Sequence, residues 1–101
     1  MAVAEISVTP IGTGSPSVSR EVACAVSVLR SEKRLKYGLT SMGTIIEGDV
    51  KDILSAAGRM HQAVLDGGAR RVLTSIKIDD RRDKPLTMRG KVESVKRKLE
   101  T

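Results

Sequence analysis

The fold is decided by residues 35–49, LKYGLTSMGTIIEGD, which lie between two stretches with helical patterns. LKYGLT, at 35–40, predicts one strand, and TSMGTIIEGD, at 40–49, predicts the next strand along the chain. Within the second of these strands, Thr44 and Glu47 interrupt an otherwise apolar run. A small domain therefore places a hydroxyl and a carboxylate where aliphatic side chains are expected, and both need an explanation.

The rest of the chain supplies two more strands and two helices around this pair. The alternating sequence AVAEISVT predicts a first strand, and RRVLTSIKID predicts a fourth. Apolar residues recur at helical spacing over 18–29 and again over 50–64. We expect Ser15 or Ser17 to cap the first helix and Asp49 to cap the second. Gly67 and Gly68 are expected to end the second helix.

The order strand, helix, strand, strand, helix, strand is that of a ferredoxin-like βαββαβ fold. This α+β fold has an antiparallel sheet with two helices on one face, although an open sheet of different strand order remains an alternative. With 101 residues, the chain has room for one domain over 1–101. Residues 87–99 add an extra helix, with Thr87 as its cap, and we expect it at an oligomer interface. Its apolar residues form a narrow stripe: Met88, Val92, Val95 and Leu99.

Strand alternation assigns the side chains to the two faces of the sheet. The face toward the helices should carry Ile6, Val8, Val72, Ile76 and Ile78, and the open face Val3, Glu5, Ser7, Thr9, Leu73, Ser75 and Lys77. If Thr44 and Ile46 point to the helices, Glu47 lies on the open face. A carboxylate there needs a cation or a hydrogen-bond donor. Lys77 is one candidate partner, and a ligand with amino groups or positive charge is the other.

Composition excludes several classes of function. No apolar run reaches the roughly 18–20 residues that a membrane span needs, and no signal peptide is evident. The single cysteine, Cys24, fits a cytoplasmic location. Cys24 is expected to be a packing residue, and His61, the one histidine, a partly buried and hydrogen-bonded residue. The sequence offers no catalytic constellation and no metal or cofactor motif, so we expect no enzyme activity.

The charge of the chain is concentrated at one end. Of the formal net charge of +6, residues 81–101 carry +5, from eight Lys/Arg and three Asp/Glu. Nucleic acid is an unfavourable partner, because RNA-binding domains of this topology stack bases on strand aromatics and only Tyr37 is available. Phosphate contacts by the last helix would give weak, sequence-independent binding. The loop GTGSPS, at 12–17, has the position but not the full motif of a phosphate loop.

Three segments, VTPIGTGSPSVSREVACAV, YGLTSMGTIIEGD and TSIKIDDRRDKPLTMRGKVESVKRKL, resemble the thiamine-binding protein family. The resemblance covers about residues 3–99. It departs from the family pattern at Ser41, where the family often has Pro, and at Gly90, where acidic residues are common. The resemblance implies a ferredoxin-like fold that forms homodimers and commonly homotetramers. It also implies a site for thiamine or its hydroxymethylpyrimidine part, without catalysis.

Carried over position by position, the resemblance implies a ligand site in two parts. The loop after the first strand would contribute Pro10, Thr13 and Ser17. The hairpin and the third strand would contribute Thr40, Met42, Gly43, Thr44 and Glu47. The function expected from the sequence is therefore a non-catalytic, oligomeric binding protein. A structural or regulatory module without a thiamine ligand, and a weak nucleic-acid binder, are the alternatives.

Overall fold

The computed structural model describes residues 1–100, which form one four-stranded antiparallel sheet with helices packed on it. The elements are β1 (Ala2–Pro10), α1 (Ser19–Ser27) with a 3-10 turn (Val28–Ser31), β2 (Lys36–Leu39), β3 (Thr44–Gly48), α2 (Val50–Asp66), β4 (Val72–Asp80) and α3 (Met88–Leu99). The strand order is β2-β3-β1-β4, and every neighbouring pair is antiparallel. This is the predicted ferredoxin-like fold, and the prediction is confirmed.

The core is aliphatic and lies between the sheet and the pair α1 and α2. One face of β1, with Ala2, Ala4, Ile6 and Val8, is buried against these helices, as its alternation predicted. The largest fully buried side chains are Ile6, Leu29, Ile46, Ile53, Met60 and Val64. Burial of apolar surface stabilises such a core by roughly 25 cal/mol for each Å² removed from water. No helix within residues 1–100 is long and apolar enough to cross a membrane.

The end of α2 follows from its glycines. Gly68 has φ +116°, a backbone conformation that residues with a side chain rarely adopt. The Ala69 N–H donates to the Val64 carbonyl at 3.3 Å, and the Gly68 N–H donates to the Leu65 carbonyl at 3.0 Å. These two bonds form a Schellman motif, which satisfies carbonyls that would otherwise lack donors. The predicted stop at Gly67 and Gly68 is confirmed.

The predicted cap of α1 is wrong. Val18, not a serine, precedes the first helical residue, and its side chain makes no capping hydrogen bond. Ser15 instead accepts the Ser17 N–H at 3.2 Å, and Thr13 donates to the Ser15 carbonyl at 3.0 Å. The loop hydroxyls are used within the loop, because short polar side chains bond to backbone groups close by in sequence. Asp49 does occupy the N-cap of α2, but only its carbonyl is used, at 2.9 Å from the Ile53 N–H.

Strand register confirms the predicted division of the sheet into two faces. Thr44 pairs with Ile6 on the helix side, while Glu47 pairs with Val3 on the open side. Ile76 belongs to the helix side yet keeps 41% of its surface exposed. The reason is that β4 is an edge strand, so the helices reach only one side of it.

The carboxylate of Glu47 lies under the N-terminus of α3. Its Oε1 accepts the Met88 N–H at 2.9 Å, and the residue is only 5% exposed. Thr87, the predicted cap, accepts the Gly90 N–H at 2.9 Å. Two side chains therefore satisfy backbone donors of the first turn, where negative charge is also favoured by the helix dipole. The alternative ion pair with Lys77 is not formed, because Lys77 lies opposite Glu5 on the far side of β1.

The part of the open face near Glu47 is covered by α3 and by Leu86. Val3 was predicted on this face, and its register places it there, yet only 7% of it is exposed. α3 contacts β3 beside it, and Leu86, just before the helix, is buried at 6% exposure. The turn that leads to α3 is closed by Arg81, whose Nε donates to Asp83 Oδ1 at 2.8 Å. This hydrogen bond lowers the pKa of Asp83 below its ordinary value.

Replacing Gly48 by Ala should destabilise the fold. A Cβ at this position would lie 2.4 Å from Leu35 Cδ2 and 3.3 Å from the Arg34 carbonyl, and Leu35 is itself a core residue. We expect Gly48→Ala to lower the free energy of unfolding by about 1–3 kcal/mol, the usual cost of overpacking. Urea unfolding measures it. Gly38→Ala is the control, since nothing lies within 4 Å of its added Cβ. Equal stability of the two variants would contradict this packing.

Glu47→Gln tests the carboxylate under α3. The neutral amide still offers an oxygen to the Met88 N–H, but the bond loses its charge and its interaction with the helix dipole. We expect the free energy of unfolding to fall by about 1 kcal/mol. Glu5→Gln, on the same face but exposed, should change little. A Glu47→Gln protein as stable as the parent would show that the carboxylate does not hold α3.

Candidate ligand-binding site

A cavity of about 240 Å³ lies between α1 and the turn that joins β2 to β3. We call it the hairpin cavity. Its floor is formed by β1 and by Met60 of α2. Its lining consists of Ile6, Ser7, Val8, Thr9, Val18, Val22, Ala25, Val26, Leu39, Thr40, Ser41, Met42, Gly43, Thr44 and Met60.

The turn at 40–43 is held by its own hydrogen bonds. The backbone N–H and the hydroxyl of Thr40 both donate to the Gly43 carbonyl, each at 2.8 Å. The Met42 N–H donates back to Thr40 Oγ1 at 3.3 Å. Ser7 of β1 adds a bond from its hydroxyl to the Met42 carbonyl at 3.2 Å. The cavity wall formed by this turn is therefore fixed in position before any ligand arrives.

Gly43 allows the turn to lie flat against β1. A Cβ there would lie 3.1 Å from Ser7 Oγ and 3.3 Å from the Ile6 carbonyl. Both neighbours belong to the central strand β1 and have little room to move. A side chain at this position would therefore require the turn or β1 to shift by a few tenths of an ångström.

Thr44 is the buried polar group of the cavity. It is only 3% exposed, yet its hydroxyl makes no hydrogen bond to any group within residues 1–100. Its oxygen is not among the fully buried side-chain atoms without a partner, so it keeps some accessible surface, and Thr44 lines the hairpin cavity. The hydroxyl is therefore a hydrogen-bonding group in the cavity lining that no protein group within residues 1–100 uses.

The wall formed by α1 is apolar. Val22, Ala25 and Val26 of α1 face Ile6 and Val8 of β1 across the cavity. Met42 lies at the mouth, with 83% of its surface exposed. Methionine is flexible and polarisable, and its thioether packs well against aromatic rings. The cavity thus combines an apolar wall on α1, the unpaired hydroxyl of Thr44 and an adaptable side chain at its entrance.

None of the lining residues is ionisable, which limits what the cavity can do chemically. Proton transfer needs an acid or a base within hydrogen-bond reach of the ligand, and the lining offers neither. His61 lies elsewhere, half-buried with Nδ1 at 2.6 Å from Thr74 Oγ1, so its predicted structural role is confirmed. Cys24 is half-buried and close to the Ala63 carbonyl, at 3.5 Å. In the part of the chain that the structure describes, no cluster of three or more His, Cys, Asp or Glu could bind a metal.

The structure brings together four of the eight residues predicted for the site. The four that line the hairpin cavity are Thr40, Met42, Gly43 and Thr44. Pro10 is buried at the end of β1, and Ser17 is exposed in the loop before α1. Thr13 lines a different cleft, between α1 and the end of α2. Glu47 lies on the opposite face of the sheet, under α3.

Sequence reasoning missed the wall contributed by α1. Val18, Val22 and Val26 recur at the helical spacing that is typical of a buried stripe. Spacing alone does not distinguish a side chain that packs against the core from one that lines a cavity next to it. The interrupted alternation at Thr44 was the usable signal, and it did identify the buried hydroxyl.

Comparison with known proteins places the chain in a family. A family model described as thiamine-binding protein matches residues 4–96. The UPF0045 protein YqgV of Bacillus subtilis is 44% identical, with 99% of each chain covered. A UPF0045 protein of Methanothermobacter thermautotrophicus is 45% identical, over 98% of this chain and 100% of the relative.

A solved structure agrees with these sequence matches. The hypothetical protein MJ1052 of Methanocaldococcus jannaschii superposes with a TM-score of 0.86 at 39% identity, covering 93% of this chain and 94% of its own. The family-model match, over residues 4–96, extends over the βαββαβ core and into α3. The resemblance noted in the sequence is thus confirmed over almost the whole chain, and the chain belongs to the thiamine-binding protein family.

Proposed function

We propose that this protein is a non-catalytic cytoplasmic binding protein whose hairpin cavity holds the pyrimidine ring of thiamine or of hydroxymethylpyrimidine. The unpaired hydroxyl of Thr44, a residue that lines the cavity, carries the proposal. An aminopyrimidine offers ring nitrogens that accept hydrogen bonds and an amino group that donates them. The Thr44 hydroxyl can serve either role, because a hydroxyl both donates and accepts.

The size of the cavity favours the pyrimidine part over the whole vitamin. Its volume of about 240 Å³ lies below the roughly 300–1,000 Å³ typical of pockets for drug-sized ligands. A single ring fits inside, and the thiazolium ring of thiamine would extend past Met42 toward solvent. That position suits a permanent positive charge, since the cavity has no carboxylate to neutralise it.

This placement gives Glu47 a structural role in the proposal. The sequence-based hypothesis used its carboxylate for the ligand's amino group or charge. Its bond to the Met88 N–H lies on the other face of the sheet from the hairpin cavity. Thr44 and Met42 remain as the residues that contact the ring.

The Thr44→Val variant tests the contribution of the hydroxyl to ligand binding separately from its contribution to the stability of the fold. Valine keeps the shape of the side chain and removes the unpaired hydroxyl, so the free protein should be as stable as the parent or more stable. Hydroxymethylpyrimidine should bind at least about fivefold more weakly, because one of its polar atoms is then buried without a partner. Isothermal titration and urea unfolding of the same protein measure the two quantities.

Thr13→Val is the matched control, since Thr13 was predicted for the site but lies outside the hairpin cavity. Its affinity for the ligand should equal that of the parent. An unchanged affinity of Thr44→Val, or an equal loss in both variants, would contradict the assignment. No saturable binding by the folded parent would favour the alternative of a structural or regulatory module without this ligand.

We further propose that the protein forms a homo-oligomer, a dimer or a tetramer, with α3 at a contact between copies. Val92, Val95 and Leu99 form one stripe of this helix and are exposed by 54%, 59% and 79%. Such a stripe on a soluble domain indicates a surface that another molecule covers. A second copy is the occupant that the family resemblance implies.

Charge placed in the stripe should disrupt that contact. Val95→Glu is expected to lower the mass measured by light scattering from that of a multimer toward the 10.9 kDa of one chain. Ser27→Glu, at an exposed position of α1 away from α3, provides the control. A parent that runs as a monomer at high concentration, or a Val95→Glu protein with the parent's mass, would contradict this interface.

A further inference from the structure

A second cleft lies on the other side of α1 from the hairpin cavity. Its volume is about 530 Å³, and it is bounded by the start of α1, the end of α2 and the loop after β1. The loop is fixed beside the end of α2, because the Ile11 N–H donates to the Arg71 carbonyl at 2.8 Å. We call it the helix-end cleft. The residues used below are Arg20, Glu21, Cys24, Gly68 and Arg70.

The interior of the helix-end cleft needs a hydrogen-bond donor. Glu21 Oε2 is buried, and no protein group within residues 1–100 donates to it. The C-terminus of α2 points into the same cleft, and no basic residue lies in its last turn. A carboxylate oxygen and the negative end of a helix dipole both favour a positively charged donor. An ammonium group satisfies both.

The rim of the cleft has the opposite charge. Arg20 and Arg70 line it from two separate elements, and both are exposed. Neither forms an ion pair with any residue in the range 1–100. Guanidinium groups bind carboxylates and phosphates in a forked geometry. Two unpaired arginines at the entrance therefore suit an oxyanion held close to the surface.

From this pattern we propose that the helix-end cleft binds a small zwitterion with a primary ammonium group and an oxyanion. The ammonium group enters and donates to Glu21, while the oxyanion remains at the rim between Arg20 and Arg70. An isolated cation would leave the two arginines without a partner. An isolated anion inside the cleft would be repelled by the Glu21 carboxylate. The cleft is independent of the hairpin cavity, since the two share no lining residue.

The oxyanion can be a carboxylate or a phosphate, and two probes distinguish them. β-Alanine carries an amine and a carboxylate, and O-phosphoethanolamine carries an amine and a phosphate. Each is titrated into the ¹⁵N-labelled protein while amide shifts are recorded. Ethylamine, acetate and inorganic phosphate supply the separate charges. We expect saturable shifts at the amides of Cys24 and Gly68 with one zwitterion or both, and binding at least tenfold weaker for each single-charge probe.

Two variants test the groups that the proposal uses. Glu21→Gln removes the inner charge, and Arg70→Gln removes one charge at the rim. Each should weaken binding of the zwitterion about tenfold or more, since each loses a charge-assisted hydrogen bond. Glu93→Gln, on α3, is the control and should bind as the parent does. Circular dichroism shows whether each variant is folded. If Glu21→Gln does not fold, the affinity of Arg70→Gln alone decides the test.

Several results would overturn the proposal. One is the lack of saturable binding by both zwitterions. Another is phosphate or ethylamine binding as tightly as the zwitterions, which would indicate a simple ion site. A third is full affinity in Glu21→Gln or Arg70→Gln. Binding of hydroxymethylpyrimidine at the hairpin cavity is measured separately, so failure at one site leaves the other unaffected.

Discussion

The antiparallel register between β1 and β3 is the constraint on which the rest of the structure depends. It pairs Ile6 with Thr44 and Val3 with Glu47, which places two polar side chains three residues apart on opposite faces of the sheet. Because successive side chains in a strand alternate, a slip of one residue would exchange the faces. The hydroxyl would then face away from α1 and α2, and the carboxylate would face toward them. The single short strand β3 thus serves both the proposed ligand site and the attachment of the last helix.

Much of this arrangement could be predicted from sequence, because its causes are local. Alternation in β1 and the helical spacing of α2 each follow from residues close together in the chain, and both were read correctly. The partner of Glu47 could not be predicted, since Met88 lies 41 positions away and its N–H is available only where α3 begins. The prediction for the cap of α1 was wrong for a related reason. Ser15 accepts a hydrogen bond from the Ser17 N–H within the loop and not from the first turn of the helix.

Four of the eight residues predicted for the site line the hairpin cavity, and there is a physical reason why these four lie together. Thr40, Met42, Gly43 and Thr44 belong to one turn and the strand after it, so their proximity follows from the sequence. The facing wall is α1, and its distance from the turn depends on how the helix packs on the sheet. The proposed ligand therefore lies between two walls of different origin. The turn is determined by local sequence, whereas the position of α1 opposite it depends on the tertiary structure.

The most direct test of the account is to locate the ligand with nuclear Overhauser effects. Hydroxymethylpyrimidine carries a ring methyl group, and the hairpin cavity carries the methyl groups of Thr44, Val22 and Met42. An isotope-filtered experiment on the ¹³C-labelled protein would record which protein methyls lie close to the ligand. The account predicts contacts to Thr44 and Val22. It predicts no contacts to Met88 or Val92 of α3. Contacts to α3 with none to Thr44 would contradict the central claim that β3 presents its hydroxyl to the ligand.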